Sequence, residues 1–405
     1  MKVVLFTREF PPHVYGGAGV HVEYLARELA RLVEVEVRCF GDQSSSAPGL
    51  RVLGIPDLPA DPVDVASRPG SPLDTVRRGL ILASAPPDAD VLHCHTWYTH
   101  AGGLLARLAR GTPLVLTTHS LEPLRPWKRE QLGTGYEFSC WVERQAYEAA
   151  DAVVAVSAGT KADILATYGI PEERIHVIPN GIDTREYRHL EADDALTRLG
   201  IDRTRPYALF VGRMVHQKGF IHLLDAAEQL HPDVALVLCA GAADTEEDTR
   251  RATARVEALA ARRRHVHFLP GMLPRPDVIQ LYSHAAVFCC PSIYEPFGLI
   301  NLEAMACGTP VVASSVGGIR EVVVPGETGE LVPFEPVPGG ADPRDPAGFA
   351  RDFAAAVNRM LADPAAARRM GAAGRRRCEE RFAWDAIARR TVLVYESLRR
   401  SATAA

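Results

Sequence analysis

Lysine is scarce in this sequence: of its 45 basic residues only Lys2, Lys128, Lys161 and Lys218 are lysines, so each invites a question about its charge. Long apolar runs are missing, since nothing approaches the ~18 residues of a membrane-spanning helix. The eight cysteines form no Cys-x-x-Cys pair and sit mostly inside apolar stretches, which reads as reduced, buried thiols and gives no metal or disulfide framework. An excess of positive charge is missing too. The formal net charge of −5 offers no general attraction to nucleic acid or anionic lipid, so an anionic ligand must be met by a local cluster. The chain runs at once into Val3-Val4-Leu5-Phe6, too short an apolar stretch for a secretory signal, and a cytoplasmic location is expected.

What is present is a globular composition, 47% hydrophobic and 23% charged, over 405 residues, a length that suits two domains. Short β-rich runs alternate with longer helical ones, twice over. Strands are predicted at 2–6, 35–40, 91–94, 114–118, 152–156 and 175–178, with helices at 18–32, 98–110, 137–150 and 158–168. After a turn-rich stretch from Pro179 to about Arg205 the pattern restarts. Strands are predicted at 207–211, 234–239, 265–269, 286–290 and 310–313, with helices near 218–230, 244–262, 275–284 and 299–306. Such alternation implies βαβ units and parallel sheets covered on both faces. The expected fold is α/β, two Rossmann-like doubly wound domains facing a central cleft. The expected boundaries are 1–185 and 186–384, with a C-terminal helix, 385–405, crossing back to the first domain. Residues 41–75 and 334–346 read as loops.

Three loops carry candidate chemistry. The first, Pro11-Pro12-His13-Val14-Tyr15-Gly16-Gly17-Ala18-Gly19, follows strand 2–6 and opens a helix. Glycines there let backbone N–H groups approach a phosphate, though a plain tight turn explains the same residues. A dinucleotide fingerprint fails, because Val22 stands where the third glycine belongs. The second, Val211-Gly212-Arg213-x4-Lys218-Gly219, sets two cations five residues apart across a turn, able to close on a diphosphate from two sides. Cations at a helix N-terminus oppose its dipole, and a bound anion would relieve that conflict. In the third, Glu295 precedes a helix and Glu303 lies inside it. Carboxylates suit sugar or ribose hydroxyls, and the N–H groups of Gly298, Leu299 and Ile300 suit phosphate oxygens.

Two metal-like patterns are weaker. Asp88-Ala89-Asp90 has the D-x-D form but precedes a strand instead of ending one. The reading of His93-Cys94-His95 sends the two imidazoles to opposite faces of their strand, which argues against a shared metal.

The Pro-Pro-x3-Gly-Gly loop, Gly212-Arg213-x4-Lys218-Gly219 and Glu295-x7-Glu303, in this order, resemble the family 4 retaining glycosyltransferases. The stretches Thr7-Arg8-Glu9-Phe10-Pro11-Pro12, His95-Thr96-Trp97-Tyr98-Thr99 and His119–Lys128 are similar to those of its ADP-glucose-dependent bacterial members. The resemblance implies a GT-B fold and transfer of glucose from ADP-glucose to glucose 1-phosphate, to an α-1,4-glucan, or to both. It implies that Arg213 and Lys218 neutralise the donor diphosphate and that Glu295 holds the glucose and Glu303 the ribose. Gly16 and Gly17 would lie beneath the phosphates, and His119 would contact the sugar. Glu9, Tyr15, His95, Arg125 and Lys128 would serve the acceptor. On residue type alone, a lone His119 is equally a satisfied structural residue, and the basic run Arg125–Arg129 equally a solvated turn.

No metal or other cofactor is expected beyond the nucleotide-sugar substrate, and neither nucleic acid nor membrane is an expected partner; a homodimer is compatible with the sequence. Where chain-elongating bacterial relatives carry Lys-x-Gly-Gly and His-Asp-Trp, this chain has Val14-Tyr15-Gly16-Gly17 and His95-Thr96-Trp97, and it has Glu303 where they have Tyr. These departures weigh against glucan elongation as the main activity. The rival readings are a lipid-acceptor mannosyltransferase of the same fold, a sugar-nucleotide epimerase, and a non-catalytic nucleotide-sugar sensor.

Overall fold

A computed structural model of the chain describes residues 1–56, 72–84, 88–133 and 135–404. It divides into two compact units, Met1–Gly181 with Trp384–Ala405, and Ile182–Ala383.

In the first unit eight strands are described: β1 (Lys2–Thr7), β2 (Glu34–Phe40), β3 (Ser44–Ala47), β4 (Leu50–Ile55), β5 (Val91–His95), β6 (Leu114–Thr118), β7 (Ala152–Ala155) and β8 (Ile175–Val177). They form one sheet in the order β3-β4-β2-β1-β5-β6-β7-β8, parallel except for β3, which runs against β4. The side chains of β1 alternate between two cores. Val3 and Leu5 pack with Val22, Leu25 and Trp384, while Val4 and Phe6 pack with Leu92, Leu116 and Tyr147. A strand buried on both faces therefore reads as a continuous apolar run. The C-terminal helix Trp384–Ala404 supplies Trp384, Ile387 and Tyr395 to the first of these cores.

The second unit holds β9 (Tyr207–Arg213), β10 (Ala235–Gly241), β11 (Val266–Pro270), β12 (Val287–Cys290), β13 (Val311–Ser314) and β14 (Gly329–Val332), all parallel, in the order β11-β10-β9-β12-β13-β14. In both sheets the strand order reverses beside the first strand of the unit, between β1 and β5 and between β9 and β12. Such switch points leave a crevice at the carboxyl ends of the strands, where ligands of open α/β sheets bind.

The expected loop at 41–75 is corrected in part. Residues 44–47 and 50–55 form a hairpin at the sheet edge, and Pro72–Ser84 is a helix, while 57–71 lie outside the described residues. The polar Ser44-Ser45-Ser46 has no apolar alternation because β3 is an exposed edge strand. Strand β14 and the helices Pro346–Ala362 and Pro364–Arg381 were not anticipated, although Asp345 and Asp363 cap the two helices directly before a proline, a legible start signal.

Candidate active site

In the second unit the two expected loops, Gly212–Gly219 and Glu295–Glu303, lie at the carboxyl ends of β9 and β12. Lys218 ends a short 3-10 turn, His216–Lys218, that follows β9. Gly219 then takes φ +62, and a Cβ there would lie 1.9 Å from the Pro291 carbonyl oxygen. Only glycine tolerates both the left-handed backbone and this close approach. A hydrogen bond from Ile293 N to Gln217 O, 3.0 Å, joins the same two loops. The consequence is an ion pair: Lys218 Nζ donates to Glu295 Oε2 at 2.6 Å, and Ser292 Oγ donates to that oxygen at 3.3 Å. Burial alone would lower the Lys218 pKa, but the Glu295 carboxylate outweighs it and holds the ammonium above its ordinary value. The backbone of the Glu295 loop is clamped in turn by Gly317-Gly318, whose Cβ positions would collide with the carbonyls of Glu295 and Pro296, both at 2.2 Å.

Arg213, at the last position of β9, donates from Nη1 to Asp244 Oδ1 at 2.7 Å. It also lies near enough to Lys218 to oppose its charge. The conflict between cations and helix dipole is thus relieved by the protein's own carboxylates, Asp244 and Glu295, before any ligand arrives. Glu303 accepts from Tyr282 Oη at 2.9 Å and Tyr187 Oη at 3.4 Å, and burial pushes its carboxyl above the ordinary range. Gly298, at φ +100, precedes the helix Leu299–Ala306, whose first N–H groups belong to Leu299 and Ile300. Sequence reasoning missed Asp244, Ser292 and the Gly317-Gly318 clamp; only the double glycine carries a signal that could have been read.

In the first unit the glycine loop is organised by Glu9. Its Oε2 accepts from Gly16 N at 2.7 Å and Tyr15 N at 3.0 Å, and a Cβ at Gly19 would meet that carboxylate at 2.8 Å. Glu9 therefore occupies the N–H groups of Tyr15 and Gly16. Tyr15 is half-exposed, and the Arg8 guanidinium lies 5.5 Å from its ring and 4.2 Å from that of Tyr98. Arg8 also went unnoticed as a candidate.

Four imidazoles gather behind β5 and β6. His21 Nδ1 hydrogen-bonds Asn180 Oδ1 at 2.7 Å, and His95 Nδ1 and His119 Nε2 are 3.1 Å apart. His93 reaches Tyr395 Oη at 2.6 Å and Thr117 Oγ1 at 2.7 Å. The expectation that His93 and His95 point to opposite faces is wrong. Residues i and i+2 of a strand share a face, and these rings lie 4.3 Å apart. Burial lowers the His21 pKa to about 4 and that of His93 to about 3, and takes His95 and His119 well below their ordinary value. All four are therefore neutral near pH 7. His21, His95 and His119 each offer a ring nitrogen within 4.8 Å of the others, a set that could ligate a metal but contains no carboxylate to offset its charge. His95 is fully buried against His119, so its surroundings favour support of that ring over contact with an acceptor.

The basic run is less free than its sequence suggests. Arg125 donates to Glu122 Oε1 at 3.0 Å with both side chains largely buried, Arg129 pairs with Glu137 at 2.5 Å, and Lys128 is buried. Asp90 of the D-x-D pattern accepts from Lys2 N at 2.7 Å and pairs with Arg399, which makes it a tie at the amino end of the sheet.

Residues 15–186 match the profile described as Glycosyltransferase Family 4, and residues 192–377 that of Glycosyl transferases group 1. The chain belongs to glycosyltransferase family 4. As a family 4 member it is an enzyme, a transferase of the hexosyltransferase type, with the GT-B fold. It is 46% identical to the alpha-maltose-1-phosphate synthase of Mycolicibacterium smegmatis, covering 98% of this chain and 100% of that one. It is 32% identical to the glycogen synthase of Mycobacterium tuberculosis, over 99% and 95% of the two chains. Among solved structures, sucrose-phosphate synthase from Thermosynechococcus elongatus superposes with a TM-score of 0.81 at 28% identity, covering 99% of each chain. No helix among the described residues is long and apolar enough to cross a membrane.

Proposed function

We propose that this glycosyltransferase moves glucose from ADP-glucose to glucose 1-phosphate, giving α-maltose 1-phosphate with retention of the α configuration. The observation that carries the reading is the 46% identity, over almost the whole length, to a protein named for that product. Glucan elongation is a second activity to test, because a glycogen synthase is 32% identical.

In this reading Arg213 and Lys218 stabilise the departing diphosphate, and the donor takes over cations that Asp244 and Glu295 hold in its absence. Their effect is that of a preorganised electrostatic site, strongest as charge develops on the leaving oxygen. Glu295 holds glucose hydroxyls, Glu303 the ribose, and the amides of Gly298, Leu299 and Ile300 the phosphate oxygens. His119, kept neutral by burial, hydrogen-bonds a substrate hydroxyl. The acceptor oxygen bonds to the anomeric carbon on the face from which the diphosphate leaves, and a phosphate oxygen takes the acceptor proton. No metal or cofactor takes part, and the enzyme works in the cytoplasm.

Incubation with ADP-, UDP- or GDP-glucose and either glucose 1-phosphate or glycogen, with products identified by mass and 31P NMR, tests this. The expected result is α-maltose 1-phosphate from ADP-glucose. A kcat/KM tenfold higher for glycogen would overturn the acceptor, and preference for another nucleotide would overturn the donor.

A further inference from the structure

A phosphate monoester as acceptor needs a cation, and the run expected to supply it is largely committed elsewhere. Arg125 is paired with Glu122, and Arg129 with Glu137. Arg8 differs. It directly follows β1, at the switch point of the first sheet, and is half-buried. Among the described residues no carboxylate pairs with it; its contacts are the faces of Tyr98, at 4.2 Å, and Tyr15, at 5.5 Å. Tyr98 stands in the first turn of the helix Trp97–Arg110 that follows β5, and Tyr15 directly precedes Gly16, the cap of the helix Gly17–Leu29.

Stacking on aromatic rings holds a guanidinium through its faces and leaves its in-plane N–H groups for another ligand. N–H groups left in this way can take a bidentate grip on phosphate oxygens. The neighbouring carboxylate that could have neutralised Arg8 is engaged, since Glu9 accepts from the Tyr15 and Gly16 amides. We propose that Arg8, clasped between Tyr15 and Tyr98, binds the phosphate of the sugar-phosphate acceptor and is the residue that selects it over a neutral glucan end. This rests on the acceptor assigned above.

The test compares wild type with Arg8→Met and Arg8→Lys, each checked for folding by circular dichroism and thermal unfolding. Hydrogen bonds to a charged group contribute ~1.5–3 kcal/mol. Arg8→Met should therefore lower kcat/KM for glucose 1-phosphate by ~10–150-fold, mainly through KM, and change kcat/KM for maltooligosaccharide less than threefold. Arg8→Lys should fall between, keeping the charge but not the fork. Calorimetric titration of glucose 1-phosphate onto the enzyme gives a readout independent of transfer, and Arg8→Met should weaken that binding by the same factor. Equal losses for both acceptors, or unchanged glucose 1-phosphate binding in Arg8→Met, would overturn the proposal, as would absence of glucose 1-phosphate binding to wild type. If wild type binds glucose 1-phosphate through Arg8 yet transfers only to glucan, the assigned acceptor reaction fails while the phosphate site stands. Should Arg8→Met fail to fold, Tyr98→Leu, which removes one face of the clasp, should show the same acceptor-specific loss, and an acceptor-independent loss would count against the site.

Discussion

Lys218→Ala gives the sharpest view of how the second unit holds its charges. The ammonium lies 2.6 Å from the Glu295 carboxylate, with side-chain exposures of 21% and 9%. At that distance and an effective dielectric constant near 20, the attraction is about 6 kcal/mol before desolvation is subtracted. Removing one member of a buried pair typically costs ~3–5 kcal/mol, because the other is left buried and uncompensated. Lys218 is a fifth exposed, so the low end applies, about 3 kcal/mol. For a unit of about 200 residues, that lowers Tm by ~6–12 °C. The double variant Lys218→Ala/Glu295→Ala should recover part of this, with a coupling of ~1–3 kcal/mol.

The pH dependence has a definite sign. Because the folded pKa of Lys218 is raised, the stability that its charge contributes is fully present just below the lysine's ordinary pKa of about 10.4 and is lost as pH rises through the raised value. Calorimetry of the two single variants and the double variant, with wild type, measures the cycle at pH 7. Strict additivity, or a Tm loss under about 2 °C for Lys218→Ala, would refute the reasoning. The same variant should lose ~2.7–4 kcal/mol of transition-state stabilisation, read as a fall in kcat larger than any rise in donor KM.

Glu143 is buried beneath Glu122 and Tyr168, and burial, then the Glu122 charge, pushes its pKa to about 8. The folded state therefore binds a proton that the unfolded state has lost, and stability falls as pH rises from the ordinary carboxyl range to about 8. Glu143→Gln should flatten the Tm profile between pH 5 and 8; an unchanged slope would exclude Glu143 as its source. Activity should survive EDTA, because Arg213, Lys218 and backbone amides supply the positive charge at the diphosphate, and loss in chelator restored by Mg2+ or Mn2+ would revive a metal role.

Much of the architecture was legible because a parallel strand buried on both faces leaves an apolar run that needs no partner to be recognised. The runs at β1, β5, β6, β9, β10 and β12 are of this kind. Strands β3 and β14 were not legible. Ser44–Ala47 is polar because it lies at an exposed edge, and Gly329–Val332 is four residues long and is a strand only by its pairing with β13. Of the candidate site, the spacing of Arg213, Lys218, Glu295 and Glu303 could be read because each cluster lies within one loop and its following helix.

The sequence by itself determined two doubly wound units, and which loops leave the carboxyl ends of their central strands. Only the tertiary structure decided how the charges in those loops are satisfied. Lys218 and Glu295 are 77 residues apart, Arg213 and Asp244 31 apart, and Arg8 meets Tyr98 from a different strand. Local spacing fixes a residue's distance from its own strand, whereas a buried charge is satisfied by whatever group the loop of a neighbouring strand delivers. That is why Lys128 and Arg125, conspicuous in sequence, prove buried and paired respectively, while Arg8, one arginine among many, lies over two tyrosine rings with no carboxylate paired to it among the described residues.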